Sequence, residues 1–594
     1  MKFHDLSVYL EKLESTASRN SMVEILSDLF KKADKDEIDK LMYLLQGRVV
    51  PIYVSLEFGM AEKMVIRAIA LAFNHEVKAV TQLFKKEGDV GVIAEQLASS
   101  HKSNKTNPSI NDVYDVLKKI AKTSGPGSVD VKIKYLSDLL SSLDPRSSRF
   151  VSRIPIGAMR LGFSDMTVLD SLSWMVSGDK SKRKEIEAAF NARPDLGFIG
   201  KTIKEKGVKG LVDVKPAVFN PILMARAERL SSGDEIIAKI GTCAVEPKFD
   251  GFRLQAHFLK DKKEVKLFTR NLEEVTFMYP DVVEGIVNQI DAQEVIFEGE
   301  AIAFHPQTGE YLPFQETSQR KRKYDIAQKA KEIPLKLIVF DLLYLNGKSM
   351  IDQPYKERRK RLAQIIKNEG AIILSDEHTV DKGKEIEVLF DDALSQGLEG
   401  ILAKRLDGVY QAGARGWNWI KLKRSYSARL DDTIDALVMG YYVGQGKRAS
   451  FGIGAFLIGV YDNKSDQFVT IAKIGTGLTD EEWRGLAVRG TKLKAREKPP
   501  LYVVDAFLTP DIWVEPHIVV EIRADEITRS SIHTAGRVMK TSKSGSAFDV
   551  DIPGYALRFP RLEKFRDDKK IEDTTSLKEI ESMYAIQGVN KEKK

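Results

Sequence analysis

The 594 residues predict a multidomain chain: an all-α region, then an α+β region, then a small closed β-barrel. Three observations carry that expectation. Residues 1–210 place apolar side chains at helical spacing, as in MVEILSDLFKKADKDEIDKLMYLLQG and INDVYDVLKKIAK. From about residue 240 short β-rich runs appear: EVKLFTR (264–270), EVIFEGEAIAF (294–304) and LKLIVFDLLYL (335–345). Charged helical stretches such as YKERRKRLAQIIKNEG (355–370) separate them, the alternation of an α/β or α+β domain. After KLKRSYSARLDD (421–432), strands in DALVMGYYVG, GAFLIGVYD, FVTIAKIGTG and HIVVEIRADEI alternate with glycine-rich turns, which suits a barrel of the OB type. Breakers at SGPGS (124–128) and GLVDVKPAVFNP (210–221) punctuate the helical part, and the second marks the first boundary. The expected division is 1–212, 213–427 and 428–594.

Length points the same way, because a single core stops growing near roughly 250–300 residues. Composition is ordinary, with 43% hydrophobic and 30% charged residues. No uncharged apolar run reaches the roughly 18 residues of a membrane helix. The N-terminus, MKFHDLSVYLEKLE, lacks the apolar centre of a signal peptide. The expectation is a soluble intracellular protein. The single cysteine, Cys243, excludes a disulfide framework and any multi-cysteine metal site. Eight scattered histidines, none in HxH or HExxH spacing, argue against a histidine-built site. Net charge is +7, yet residues 101–210 alone hold 20 basic and 12 acidic side chains, so the rest of the chain sums to about −1. A basic excess confined to one segment suits a polyanion-binding module. Lysine-rich helix faces open to solvent would give the same count.

The sharpest local feature is Glu246-Pro247-Lys248-Phe249-Asp250-Gly251-Phe252-Arg253. A lysine two residues before an Asp-Gly turn can be presented into a cleft, but alone the pattern also fits an exposed turn. An ordered series follows it. FTRN brings Arg270, and FEGEAIAF puts Glu298 and Glu300 on one face of a strand. VFDLLYLNG brings Phe340 and Asp341, and GLEGILAKR brings Glu399. ARGWNWIKLKR holds Arg415, Lys421 and Lys423, and LRFPRLEKFRDDKKIED holds Arg566, Asp568 and Lys569. Trp417 and Trp419 read as core packing.

This series resembles the motifs of the covalent nucleotidyltransferases, and within them the ATP-dependent DNA ligases of the archaeal and eukaryotic replicative type. The likeness spans nearly the whole chain, including RIPIGAMRLGFSDMTVLDSL (153–172). It implies a helical DNA-binding domain, an adenylation (nucleotidyltransferase) domain and an OB-fold domain. It implies ATP as substrate, Mg²⁺ or Mn²⁺ as metal, and nicked duplex DNA as partner of a cytoplasmic monomer of archaeal type. Lys248 would be the nucleophile. Glu246 would read the adenine edge, Phe340 would stack on the purine, and Arg253 and Arg270 would bind around the ribose and the nick phosphate. Arg415, Lys421 and Lys423 would hold the nucleotide, with Glu300 and Glu399 as metal carboxylates and Glu298 in support. Arg566, Asp568 and Lys569 would orient the leaving pyrophosphate.

An amine attacking the α-phosphorus yields a labile phosphoramidate, but a free lysine, with pKa about 10.4, is protonated at neutral pH. The site must lower that value, and neighbouring cations such as Lys421 and Lys423 would do so. The transfer then needs in-line positioning and charge neutralisation. Related ligases can carry a sliding-clamp peptide with paired phenylalanines in a helical-domain loop. Here that loop reads SSHKSNKTNPSINDVYDVL, without an aromatic pair. Three rival readings are an mRNA capping guanylyltransferase, an NAD-dependent ligase and a scaffold that lost activity. The long helical region opposes the first, and Cys243 alone cannot build the four-cysteine zinc module of the second. The intact Lys248, Glu300, Glu399, Lys421 and Lys423 oppose the third.

Overall fold

The computed structural model describes residues 1–592 except 102–104, 306–310, 313, 323, 368, 396–397, 424–432, 445–451, 476–477, 525, 531, 542–547 and 559. The expected boundary at 427/428 and part of the clamp loop lie outside the described residues. The chain forms two compact units: residues 1–386 with 402–421, and residues 387–401 with 422–594. No helix among the described residues is long and apolar enough to cross a membrane.

Helices run from Phe3–Glu14 to Leu196–Lys206 in the first part of the first unit. Their starts follow local chemistry. Ser109 and Asp112 form a reciprocal capping box ahead of Ile110–Lys122, and Asp144 caps a helix that opens on Pro145. One apolar core runs through these helices from Phe3 to Leu211. Helices Val90–Ser100 and Pro145–Arg153 meet at Gly91, where a Cβ would sit 2.4 Å from Arg153 Nε. Arg153, nearly without solvent exposure, bonds Asp89 and Glu14 there.

That network changes the meaning of the charge count. Arg146 pairs with Glu11, Arg149 with Glu14 and Glu95, and Arg160 with Asp89. Four of the twenty basic residues of 101–210 are therefore matched by acids that lie before residue 101. Lys119, Lys122, Lys206 and Lys209 remain on exposed helix or 3₁₀ surfaces.

Two sheets complete the first unit. The first has the order β1 (Arg226–Arg229), β11 (Arg415–Lys423), β10 (Gly400–Arg405), β2 (Cys243–Lys248) and β9 (His378–Val380). The second has the order β4 (Glu264–Thr269), β3 (Phe252–Leu259), β5 (Glu294–Ala303), β6 (Leu335–Leu345) and β7 (Lys348–Ser349), with β8 (Ile372–Leu374) paired to β6. Period-two alternation decides its faces. Leu254, Ala256 and Phe258 of β3 join Val295, Phe297 and Ala301 of β5 in one core. Arg253, Gln255, Glu298 and Glu300 therefore point to the opposite face. Glu298 pairs with Asp341 and Gly299 with Val339, so Phe340 is the extra residue of a β-bulge in β6. Such a bulge re-aims a side chain. Phe340 joins the apolar cluster of the opposite face, and its carbonyl accepts from Lys404 Nζ at 2.8 Å.

In the second unit, strands β15 (Tyr502–Val503), β14 (Gln467–Ile474), β13 (Ile453–Asp462), β12 (Ile434–Val443), β17 (Val519–Arg523) and β22 (Arg561–Phe565) follow one another in a sheet. β16 (Ile512–Trp513) joins it through β12, and β18 (Glu526–Ser530) with β21 (Gly554–Arg558) and β19 (Val538–Thr541) with β20 (Phe548–Ile552) form two hairpin-like pairs. Helix Asp480–Lys492 starts on a Thr479–Glu482 capping box and buries Trp483 on the sheet core.

Asp341 and Arg358 form a fully buried ion pair, with Arg358 Nε 2.7 Å from the carboxylate and a second guanidinium nitrogen bonded to the carbonyls of Gln353 and Gly408. Arg358→Met would leave that carboxylate buried and uncompensated, at a cost of about 3–5 kcal/mol. The chemical-denaturation midpoint followed by tryptophan fluorescence should fall accordingly. Adding Asp341→Leu should restore most of the loss, and a midpoint that stays low in the double variant would contradict this account.

Candidate active site

Lys248 ends β2, and the turn Phe249-Asp250-Gly251 hands the chain to β3. The turn needs glycine at 251, because a Cβ there would lie 2.3 Å from the Ala301 carbonyl. The Gly251 N–H donates to Glu300 Oε1 at 3.2 Å, and Glu300 is register-paired with Arg253. Lys248, the turn and Glu300 are thereby held close together, by the short chain from 248 to 251 and by the Gly251 N–H on the carboxylate.

Electrostatics single this cleft out. Burial lowers the Lys248 amine below its ordinary pKa, the charges of Glu300 and Asp250 oppose that shift, and those of Arg253 and Arg270 add to it. Burial pushes Glu300 up to about 7. Lys421 is pulled down to about 8 by burial and then by Arg229, Lys248, Arg415 and Arg270. Arg270 is lowered by burial, Arg253, Arg226 and Arg415. These cations crowd one another, which is costly until an anion arrives. The first cause of the Lys248 shift is thus burial, with Arg253 and Arg270 adding to it, while the charge of Lys248 in turn lowers Lys421; the side chain of Lys423 lies outside the described residues.

The floor of the cleft is polar and closed. Arg253 donates to Glu298 at 2.6 Å and to the Ala225 carbonyl at 2.6 Å, lies over Phe340 and Trp419, and keeps its buried Nε without a partner. Glu246 is almost wholly buried. Its Oε2 pairs with Lys404 at 2.8 Å, and its Oε1 accepts from Tyr355, which also touches Glu377. Lys404, itself fully buried, stands 4.9 Å from the ring centres of both Phe340 and Trp419.

The structure brings Lys248, Arg253, Arg270, Glu300, Phe340, Arg415 and Lys421 together, with Glu246 behind them. Glu399, half-buried just before β10, and Lys423, the last residue of β11, belong to the second unit. So do Arg566, Asp568 and Lys569, in the turn after β22. There Arg566 grips Asp568 at 2.8 and 2.9 Å and reaches Asp435 and Glu521, while Lys569 bonds Asp435 at 2.6 Å.

Comparison with known proteins identifies the family. The family profile "ATP dependent DNA ligase domain" matches residues 224–423. "DNA ligase N terminus" matches 2–173, and "ATP dependent DNA ligase C terminal region" matches 449–569. A probable DNA ligase of Dictyoglomus turgidum is 46% identical over 100% of this chain and 99% of its own length. The chain belongs to the ATP-dependent DNA ligases. A DNA ligase of Sulfurisphaera tokodaii is 40% identical over 100% of this chain and 99% of its own. A solved structure titled "Pmar-Lig_Pre." superposes with a TM-score of 0.53 at 17% identity, covering 94% of this chain and 99% of that one, and shares the fold. Nick sealing by way of an adenylate on the enzyme, with ATP as substrate, is the activity of this ligase family, and the chain has its three-domain organisation.

Several ligase-site residues escaped sequence reading. Lys404 stands five positions after Glu399, inside a run quoted only for its acid. Tyr355 and Glu377 carry no motif; Trp419 is buried beside Phe340 in keeping with its core reading, whereas Trp417, read as core with it, is exposed. Among the described residues no group of three or more His, Cys, Asp or Glu stands together. Mg²⁺ takes one or two carboxylates and otherwise substrate phosphates and water, so Glu300 in a cation-rich phosphate cleft fits it.

The signs of the shifts make a test. Glu300's charge holds the proton on Lys248, and Arg270's charge loosens it. The rate of adenylate formation at saturating ATP and metal should rise with pH and level off below the usual lysine pKa. Glu300→Gln should move that inflection to lower pH and Arg270→Ala to higher pH. Shifts in the same direction would refute the assignment.

Proposed function

We propose that Lys248 is the nucleophile of a nick-sealing cycle with three nucleotidyl transfers. Lys248 Nζ attacks the α-phosphorus of ATP, forming the P–N bond as the bond to pyrophosphate breaks. The nick 5′-phosphate then attacks the lysyl-adenylate and releases the amine. The 3′-hydroxyl finally attacks the activated 5′-phosphate, and AMP leaves. The observation that carries this reading is a buried lysine with a depressed pKa, seated beside Glu300 and Asp250 and among the charges of Arg253 and Arg270.

The other residues follow from their places. Phe340 and Trp419 line a slot for the purine, with the Lys404–Glu246 pair at its polar end, so that Glu246 acts on the adenine edge with Lys404 beside it. The spare Nε of Arg253, together with Arg270, Arg415, Lys421 and Lys423, serves ribose and phosphate. Glu300 and Glu399 hold Mg²⁺, which when bound supplies charge neutralisation on the phosphates. Arg566, Asp568 and Lys569 orient pyrophosphate in the first transfer. We assign an all-α DNA-binding domain to 1–212, the adenylation domain to 213–427 and an OB-type domain to 428–594. The mainly antiparallel sheet around β12, β13 and β14 supports the last assignment. A clamp partner has no supporting aromatic pair.

Lys248→Ala should abolish the covalent AMP adduct and sealing with ATP, yet seal DNA supplied already adenylated. An undiminished adduct would remove Lys248 from the role. Arg566→Ala should depress adduct formation at least tenfold and spare sealing of pre-adenylated DNA. For the duplex, Lys122→Ala with Lys206→Ala and Lys209→Ala should flatten the slope of log affinity against log salt by up to about 0.9 for each phosphate that is no longer neutralised. An unchanged slope would mean that these lysines are only solvated.

A further inference from the structure

The connector between the helices and β1 is built into the floor of the nucleotide cleft. Its peptide groups bond a row of side chains on one face of β3. The Phe219 N–H donates to His257 Nδ1 at 2.9 Å. The Ile222 N–H donates to Gln255 Oε1 at 2.7 Å, and Gln255 Nε2 returns a bond to the Ile222 carbonyl at 3.0 Å. The Ala225 carbonyl accepts from Arg253, and the Ala225 N–H donates to Tyr410 at 2.9 Å. Positions 253, 255 and 257 thus hold residues 225, 222 and 219 in turn.

These bonds converge on Glu298. That fully buried carboxylate accepts from Arg253 and Tyr410 on one oxygen and from Gln255, at 3.2 Å, on the other. His257 is held neutral, its pKa pushed down to about 3 by burial and then by Lys266. With Nδ1 accepting, its Nε2–H donates to Gln255 Oε1 at 3.0 Å. Gln255 therefore has its amide orientation set from three sides. Such a network is rigid when every member is satisfied. Leu223 extends the connector both ways: its N–H bonds the Asn191 carbonyl of the helical region, and its carbonyl accepts from Gly413, just ahead of Arg415.

We propose that Gln255 is a positioning residue of the ligase reaction: by clamping Ile222 and Glu298 together it makes the connector set the guanidinium of Arg253. The proposal rests on the reading of Arg253 as a substrate-facing cation. Gln255 touches no substrate and acts only through Arg253. A side chain whose sole role was to fasten the connector would change stability and leave nucleotide use alone.

The test is a double-mutant cycle in the full chain, with adenylate formation measured over a range of ATP concentrations. Gln255→Met removes the amide at nearly constant volume. It should raise KM for ATP at least fivefold while kcat changes less than twofold. Arg253→Lys should raise KM by a similar or larger factor, and adding Gln255→Met to it should cost no more than another twofold. Multiplicative effects, or a Gln255→Met enzyme with unchanged KM, would overturn the proposal. If Arg253→Lys itself left KM and kcat unchanged, the reading of Arg253 would fail first, and the cycle would show which of the two had failed. Should Gln255→Met not fold, Gln255→Glu supplies the second variant. It keeps an acceptor for the Ile222 N–H but sets a carboxylate against Glu298, and the same KM split and non-additivity are required of it.

Discussion

The site in the first unit answers to one constraint, the gathering of like charges around the buried amine of Lys248. Lys248, Arg253, Arg270, Arg415 and Lys421 repel one another, and the sequence can hold them only by fixing their backbones independently of their charges. The fold does this with strands. Lys248 ends β2, Arg253 lies on β3, and Arg415 and Lys421 lie towards the two ends of β11. The Gly251 turn binds the strand of Lys248 to the carboxylate of Glu300. Charges fixed in this way before any substrate binds are a case of electrostatic preorganisation.

Burial does the complementary work. Glu298, Gln255, His257 and Tyr410 form a polar layer between two apolar cores, every member bonded to another or to the connector. In such a layer a single unpaired group costs more than a surface ion pair contributes. The bulge at Phe340 belongs to the same logic. It turns one ring out of the strand's alternation, and Lys404 takes up the carbonyl that the bulge frees. One amine satisfies that carbonyl, neutralises Glu246 and stands near three aromatic rings, those of Phe340, Tyr355 and Trp419.

Much of this was legible in the residues. The alternation of EVIFEGEAIA places Glu298 and Glu300 on one face from the pattern alone, and the ordered motifs point to residues that the fold gathers around Lys248. The bulge was not legible, because LKLIVFDLLYL reads as an unbroken apolar strand and nothing in it says which residue is extra. Lys404 and Tyr410 were hidden for a related reason: their partners are far away along the chain and adjacent only once two sheets have formed. The charge count misled in part. A window of sequence sees the arginines of Pro145–Arg153 but not Glu11, Glu14, Asp89 and Glu95, which reach them from other parts of the helical region.

The turn after β22 carries Arg566 with its fork already filled by Asp568, Asp435 and Glu521, and Lys569 already on Asp435. Under the role proposed for these cations, pyrophosphate competes for them with carboxylates already in place, exchanging one anionic partner for another. An exchange of that kind has little driving force in either direction. Under the proposed role, cations that already have partners to return to are suited to a ligand that is gripped and then surrendered within a single turnover.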